Sequence, residues 1–149
     1  MILPDTNIWL ALALSKHDFH SIARDWFAAQ SARKSVLFCR STQQSILRLL
    51  TTDMVMRLYE LPPLSNMAAW QMLEGFMADP RVGWSPEPQG IEAQWKTLAT
   101  RRTSSPKLWM DAYIAAFAIT GNYQLITIDA AFTQFQHLNS LVLAKSATS

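Results

Sequence analysis

Three aspartates stand apart in this sequence because each lies in a stretch of otherwise uncharged, largely apolar residues. Asp5 is the only charged residue within residues 1–15, and Asp111 is the only one within residues 108–128. Asp129 is isolated in the same way. An ionised carboxylate is costly to bury unless it is paired or binds a metal, so three such placements favour one common site.

The chemistry that suits three neighbouring carboxylates is metal-assisted hydrolysis. Like charges held together raise each other's pKa, and a divalent cation relieves the repulsion. Mg²⁺ and Mn²⁺ prefer carboxylate oxygens and keep several water ligands. Such a cation polarises a phosphate and activates water. Because the group contains no candidate protein nucleophile, we expect water to attack a phosphodiester bond.

The elements around these acids predict that they meet at one edge of a sheet. Asp5 follows a short apolar strand at residues 1–4, and Asp129 follows a strand at residues 124–128. Open α/β sheets bind ligands at the carboxyl ends of their strands. Asp111 lies in the first turns of the helix that leads back to the second of these strands, so it belongs at the same edge.

A helix that begins at Ser41 adds amide side chains to this edge. It follows a strand at residues 36–39, so Gln43 and Gln44 begin at the same end of the sheet. Ser41, with Gln44 three positions later, has the pattern of a capping box.

The remaining patterns predict strands that alternate with helices, and hence an α/β fold whose parallel sheet is wrapped by helices. Ser65 is expected to cap a helix; Ser105 and Pro106 are expected to begin the last helix, and Gly121 to follow its end. The helices are expected at residues 7–15, 17–33, 66–77, 91–100 and 107–120, and further strands at 81–84 and 141–143.

Composition is typical of a globular protein with one domain. The 149 residues are 50% hydrophobic and 16% charged, which excludes disordered and fibrous classes, and a single domain over residues 1–149 is expected. The net charge of +2 permits a polyanionic partner without requiring one. No signal-peptide pattern and no uncharged apolar run of membrane length is present, so a cytoplasmic protein with no membrane contact is expected.

Three segments together resemble the PIN-domain ribonucleases, and most closely the VapC-type toxins of bacterial toxin–antitoxin modules. The resemblance covers essentially the whole chain, and the segments occur in the family's order. It implies a three-layer α/β/α PIN-like fold with a short central parallel sheet. The segments are residues 2–7 (ILPDTN), 109–118 (WMDAYIAAFA) and 125–132 (LITIDAAF).

The resemblance also implies an activity and partners. It implies a Mg²⁺-dependent endoribonuclease, with Mn²⁺ as a substitute ion, that forms a homodimer and is inhibited by a cognate antitoxin protein. Asp5 and Asp111 would be the principal metal ligands, and Asp129 would complete the site directly or through water. Thr127 and Asn7 would orient these acids by hydrogen bonds. RNA that is single-stranded or looped is the expected substrate, because an unpaired backbone can enter a groove.

One position departs from the family pattern. The family usually has a threonine and a glutamate near the start of the third helix, with an arginine five residues after the glutamate. Thr42 and Arg48 fit, but Gln43 stands where the glutamate is expected. Its amide can bind through the carbonyl or hold a water molecule, but it contributes no charge.

Structural roles compete with these assignments. Asp5 and Asp129 suit helix N-caps, and Asp111 suits the first turn of a helix, where a negative charge is favoured. These roles are compatible with metal binding, because caps and ligands share the same edge of the sheet. A structural or surface role is also expected for the remaining polar candidates, which show no metal-ligand spacing: His17, His20 and His137.

A basic rim is a further open interpretation. Arg40, Arg101, Arg102 and Lys107 can form a phosphate-binding rim, but a generic basic surface explains them equally well. Cys39, the only cysteine, ends an apolar strand and is expected to be inert core.

Two rival functions remain open. Asp5 at a strand end suits the nucleophile of an aspartyl-phosphate phosphohydrolase, although Asn7 replaces the second acid of the usual Asp-x-Asp start. The alternative is a PIN-like scaffold that binds RNA or protein without cleaving it, which the absence of the glutamate at Gln43 favours.

Overall fold

A parallel sheet of five short strands forms the centre of the chain, as described by a computed structural model that covers residues 1–146. The strands are β1 (Ile2–Pro4), β2 (Val36–Phe38), β3 (Val82–Trp84), β4 (Gln124–Thr127) and β5 (Ser140–Val142). Their order in the sheet is β3-β2-β1-β4-β5, and every neighbouring pair is parallel. All carboxyl ends therefore lie along one edge, as the sequence predicted.

Helices cover both faces of this sheet, which confirms the predicted three-layer α/β/α fold. The helices are α1 (Thr6–Ala13), α2 (His20–Ala28), α3 (Arg40–Leu50), α4 (Asp53–Arg57), α5 (Asn66–Ala78), α6 (Ile91–Ala99) and α7 (Leu108–Gly121). Side chains alternate between the faces along each strand. Val36 and Phe38 pack on the side of α1, α3 and α5, while Leu37 packs on the side of α6 and α7.

The start of α3 differs from the prediction. The helix begins at Arg40 and Cys39 is its N-cap, so the capping box expected from Ser41 and Gln44 is wrong. The buried Thr42 Oγ1 accepts a hydrogen bond from the Cys39 backbone N–H at 3.1 Å. The third residue of the helix, Thr42, thus takes the role that the prediction gave to Gln44, at a cap that begins two residues earlier, and Gln44 is exposed.

Both ends of α7 also differ. Ser105 and Pro106 precede the helix by a turn, in which the Ser105 carbonyl accepts from the Leu108 N–H at 3.1 Å. At the other end, Gly121 is the last helical residue and Asn122 takes the left-handed conformation at φ 55°. A glycine is needed at 121 for another reason, since a Cβ there would lie 2.3 Å from the Tyr123 ring.

The segment before β2 and the segment after α3 were predicted least well. The helix expected over residues 17–33 is shorter, because it begins at His20 and ends at Ala28. The short helix α4 was not predicted, since it has five residues and buries only Met56, which is too little for a periodic pattern. Within residues 1–146, no helix is long and apolar enough to cross a membrane.

Candidate active site

Asp5 is held at the carboxyl end of β1 by two hydrogen bonds to its carboxylate. Its Oδ1 accepts from the Thr6 backbone N–H at 2.7 Å, which makes Asp5 the N-cap of α1. Its Oδ2 accepts from the Thr127 hydroxyl at 3.0 Å. The carboxylate is thereby fixed in orientation by the helix that follows it and by the neighbouring strand β4.

Thr127 connects the first aspartate to the third. Its hydroxyl is fully buried and donates to Asp5, while it accepts from the Asn7 Nδ2 at 3.2 Å and from the Asp129 backbone N–H at 3.0 Å. The Asn7 Oδ1 in turn accepts from the Ile128 N–H at 3.4 Å. Residues separated by more than a hundred positions therefore form one hydrogen-bonded network, in which Asn7 and Thr127 orient acidic groups.

Asp129 begins the 3-10 helix Ala130–Gln134 that follows β4. Its Oδ1 accepts from the Ala131 N–H at 2.9 Å, so the N-cap role expected for it is confirmed. The Lys107 ammonium lies 3.4 Å from its Oδ2. One face of this carboxylate is thus occupied by protein donors.

Asp111 lies in the first turn of α7 and is partly buried. Burial raises its pKa, the positive charge of Lys107 lowers it, and the negative charge of Asp129 raises it again. Asp111 is therefore within electrostatic reach of both residues, as expected for the first turn of the helix that leads back to β4.

Burial raises the pKa of Asp5 to about 6, from a usual value of 3.8. The hydrogen bonds from Thr127 and Thr6 lower it, and the negative charges of Asp111 and Asp129 raise it further. The ionised form of Asp5 is therefore destabilised where it stands, mainly by lost hydration and partly by the two other acids. A cation beside Asp5 would relieve both effects.

These donors fit a hard divalent cation that keeps most of its water. The acids that act electrostatically on Asp5 are Asp111 and Asp129, and carboxylate oxygens are ligands that Mg²⁺ prefers. No group of three Asp, Glu, His or Cys side chains within residues 1–146 is arranged to hold a metal by itself. The protein would therefore supply one or two direct carboxylate ligands, with water completing the shell.

Residues 2–138 match the PIN domain family. The chain belongs to the PIN domain family. Two curated relatives, both named Ribonuclease VapC41, come from the CDC 1551 / Oshkosh and H37Rv strains of Mycobacterium tuberculosis. Each is 50% identical over 146 residues, which cover 97% of this chain and 100% of the relative. The family predicted from the sequence is confirmed.

Solved structures share this PIN domain fold. VapC20 from Mycobacterium tuberculosis, described as a sarcin-ricin loop cleaving toxin, superposes with a TM-score of 0.65 at 19% identity, over 93% of this chain and 99% of that chain. VapBC2 from Rickettsia felis, bound to a DNA fragment from its promoter, superposes with a TM-score of 0.64 at 15% identity, over 95% of this chain and 98% of that chain.

In this PIN domain Gln43 occupies the position expected for glutamate, and its side chain forms hydrogen bonds with Arg40 and Met77 and not with the aspartates. It is buried, its Oε1 accepts from the Arg40 Nη1 at 2.8 Å, and its Nε2 donates to the Met77 sulfur at 3.9 Å. The Arg40 guanidinium also lies 5.3 Å from the centroid of the Trp84 ring. The sequence singled out Arg40 but not Trp84, since a lone tryptophan at the end of a weak strand carries no local signal.

The other basic candidates of the PIN domain lie in different parts of the structure. Lys107 contacts Asp129, and Arg101 donates to the Gln134 Oε1 at 2.7 Å, so both lie beside the segment after β4. Arg48 is exposed on α3. Two histidines have structural contacts: His17 stacks on a tyrosine ring, and the His20 Nδ1 bonds a backbone carbonyl oxygen.

Proposed function

We propose that this protein is a Mg²⁺-dependent endoribonuclease that acts as the toxin of a type II toxin–antitoxin system. The observation that carries the proposal is the half-buried Asp5 carboxylate, which two hydrogen bonds fix at the ligand-binding edge of the sheet and whose pKa is raised to about 6, partly by two further acids. The 50% identity to Ribonuclease VapC41 over nearly the whole chain supports the ribonuclease activity.

Asp5 and Asp111 would hold Mg²⁺, with Mn²⁺ able to substitute, and Asp129 would act through a water molecule. When bound, the ion polarises the scissile phosphate and lowers the pKa of a water molecule. Thr127 holds the Asp5 side chain and the Asp129 backbone N–H, and Asn7 holds Thr127, so that both acids would be positioned before a cation binds. Asp129 would accept a hydrogen bond from the attacking water.

Lys107 balances the charge of this site. Its ammonium lies 3.4 Å from the Asp129 carboxylate and lowers the pKa of Asp111. Its positive charge thus opposes the effect of burial on Asp111 and favours the ionised form of that acid, which is the form that binds a cation. Without a bound ion, the three carboxylates repel one another. Within residues 1–146, Lys107 is the one basic side chain that forms an ion pair with any of them.

We further infer a cognate antitoxin as the protein partner and a homodimer as the oligomeric state. The antitoxin follows from the resemblance to VapC-type toxins, and the likeness in fold to VapBC2 supports it. The homodimer is supported by large apolar side chains that are exposed on α5, at Met67 and Trp70, which a protein partner would cover.

Cleavage of a single-stranded RNA pool by the purified, antitoxin-free protein tests the activity. We expect cleavage in Mg²⁺ or Mn²⁺, none in EDTA, and a loss of about 100-fold or more in Asp5→Asn and Asp111→Asn, since loss of even an indirect metal contact costs about 10–100-fold. Asp25→Asn is the matched control, because Asp25 is exposed on α2 in an ion pair with Arg24. Equal cleavage by all four proteins, or equal cleavage in EDTA, would overturn the proposal.

The two rival functions give other outcomes. Incubated with a phosphate monoester, a phosphohydrolase would transfer the phosphoryl group to Asp5 and release the alcohol, and acid quenching would preserve the phosphorylated enzyme; the nuclease would form none. A scaffold that does not cleave would bind the RNA pool, with or without metal, and leave it intact.

A further inference from the structure

An arginine beside the acidic site is fixed in position from two sides. Arg40 is the first residue of α3 and follows β2, which is the direct neighbour of β1 and Asp5. Its guanidinium donates to the Gln43 Oε1 at 2.8 Å and lies 5.3 Å from the centroid of the Trp84 ring. Among residues 1–146, no carboxylate forms an ion pair with it. Its positive charge is therefore held at the edge of the sheet and not cancelled there.

The partner of the Arg40 guanidinium is the neutral amide of Gln43, which does not cancel the positive charge. This amide is only 8% exposed, and its two ends are used by Arg40 and by Met77. A glutamate in the same place would face the guanidinium at hydrogen-bond distance and would cancel the charge. The neutral amide holds the guanidinium equally well in orientation and leaves its charge available to a ligand.

Trp84 places an aromatic surface next to this charge. It is the last residue of β3, it aligns with Phe38 at the end of β2, and its side chain is 44% exposed. Neighbouring strands lie about 4.8 Å apart, so the end of β3 is roughly 10 Å from the end of β1, where Asp5 stands. Exposed aromatic rings and guanidinium planes are the surfaces on which unpaired bases stack.

We propose that Arg40 and Trp84 form a subsite for a nucleotide that flanks the scissile phosphate, and that Gln43 is a positioning residue for Arg40. Arg40 contacts a backbone phosphate, and a base stacks on the exposed surface of Trp84. Gln43 then acts through Arg40 and takes no part in holding the metal. This inference rests on the proposed ribonuclease function, because it names the substrate contacts of the same site.

RNA binding and its salt dependence test the subsite without requiring cleavage. Fluorescence anisotropy with a single-stranded RNA pool would be measured in an Asp111→Asn background over a range of salt. Arg40→Ala should weaken binding and reduce the slope of log K against log salt by about 0.7, the value for one phosphate contact on a single strand. Arg24→Ala is the control, because it removes the same charge from an exposed pair on α2 and should leave the slope unchanged.

Two substitutions of Trp84, one that removes the aromatic ring and one that makes it smaller, test the stacking contact. Trp84→Ala should weaken binding by about 5-fold or more, the lower range for loss of one stacked base, with the salt slope unchanged. Trp84→Phe should retain most of the affinity, because a smaller ring still offers a stacking face. Equal affinity of Trp84→Ala and the parent protein, with thermal unfolding unchanged, would overturn the stacking contact.

Gln43→Glu separates the positioning role from a metal-binding role. We expect KM for RNA to rise and the salt slope to fall as in Arg40→Ala, with kcat and the Mg²⁺ concentration for half-maximal rate little changed. A lower Mg²⁺ requirement with an unchanged KM would overturn the assignment and make Gln43 part of the metal site.

Failure of this inference and failure of the proposed function give different results. If the wild type does not cleave RNA but Arg40 and Trp84 determine RNA binding, the subsite stands and the nuclease proposal falls. If the wild type cleaves in Mg²⁺ while Arg40→Ala and Trp84→Ala keep its KM and salt slope, the subsite falls and the nuclease proposal stands.

Discussion

Replacing Asp5 by asparagine is expected to stabilise the metal-free protein at neutral pH while it abolishes metal binding. Burial and the neighbouring acids raise the pKa of Asp5 from 3.8 to about 6. The native state binds the proton of Asp5 more tightly than the unfolded chain does. The free energy of unfolding therefore falls as the pH rises through that interval. The loss is complete above about pH 6 and amounts to about 3 kcal/mol, at 1.36 kcal/mol per pKa unit.

Asparagine has no charge to bury, so it escapes this loss, but it keeps only part of the hydrogen bonding. Its carbonyl oxygen can accept from the Thr6 N–H, whereas its NH₂ group would face the Thr127 hydroxyl that now donates to Asp5. A lost hydrogen bond of this kind costs about 1 kcal/mol. We therefore expect Asp5→Asn to be about 2 kcal/mol more stable than the wild type near pH 8 in EDTA, and no more stable near pH 4.

Urea unfolding followed by tryptophan fluorescence measures this difference at several pH values. Mg²⁺ should then reverse the order, because it binds only the wild type; at 100 times its dissociation constant it adds about 2.7 kcal/mol. Asp25→Asn, at an exposed position on α2, should match the wild type throughout. A difference between Asp5→Asn and the wild type that does not change with pH, or equal stabilisation of both by Mg²⁺, would refute the reasoning.

Three further changes have defined outcomes. Thr127→Val should destabilise the fold by about 2 kcal/mol and reduce cleavage about 10-fold or more, because two N–H donors and the Asp5 carboxylate lose their hydrogen bonds to the buried hydroxyl. Thr127→Ser keeps the hydroxyl and should retain most of the stability and activity in the same unfolding and cleavage assays. Gly121→Ala should lower the free energy of unfolding by about 1–3 kcal/mol, measured in urea, since its Cβ would lie 2.3 Å from the Tyr123 ring; an unchanged value would contradict that contact. Lys107→Met should raise the pKa of Asp111 and move the acidic limb of the pH–rate profile to higher pH, and an unmoved limb would show that Lys107 does not act on this acid.

The edge of the sheet was predictable because its signals are local. Asp5 and Asp129 each follow a run of apolar residues that can only be a short buried strand, and parallel strands end at one edge. Asp111 could be added because a helix that leads back to a strand must start at that edge. The isolation of each charge among apolar residues made these three residues conspicuous without any knowledge of the fold.

The contacts of Gln43 were not predictable, since they depend on residues that only the folded chain brings together. Arg40 lies three residues earlier in the same helix, but Met77 and Trp84 come from α5 and β3. Helix ends were missed for a related reason. Pattern rules favour serine as an N-cap and glycine after a C-terminus, whereas α3 uses Cys39 and α7 is followed by Asn122.

Diffraction from a crystal soaked in Mn²⁺ tests the central claim most directly, because manganese scatters anomalously and can be located without a model of its ligands. A peak roughly 2 Å from oxygens of both Asp5 and Asp111, with Asp129 in contact through a water molecule and Gln43 still bonded to Arg40, is the expected result. Manganese found only elsewhere, or nowhere, in a protein that still cleaves RNA would contradict it.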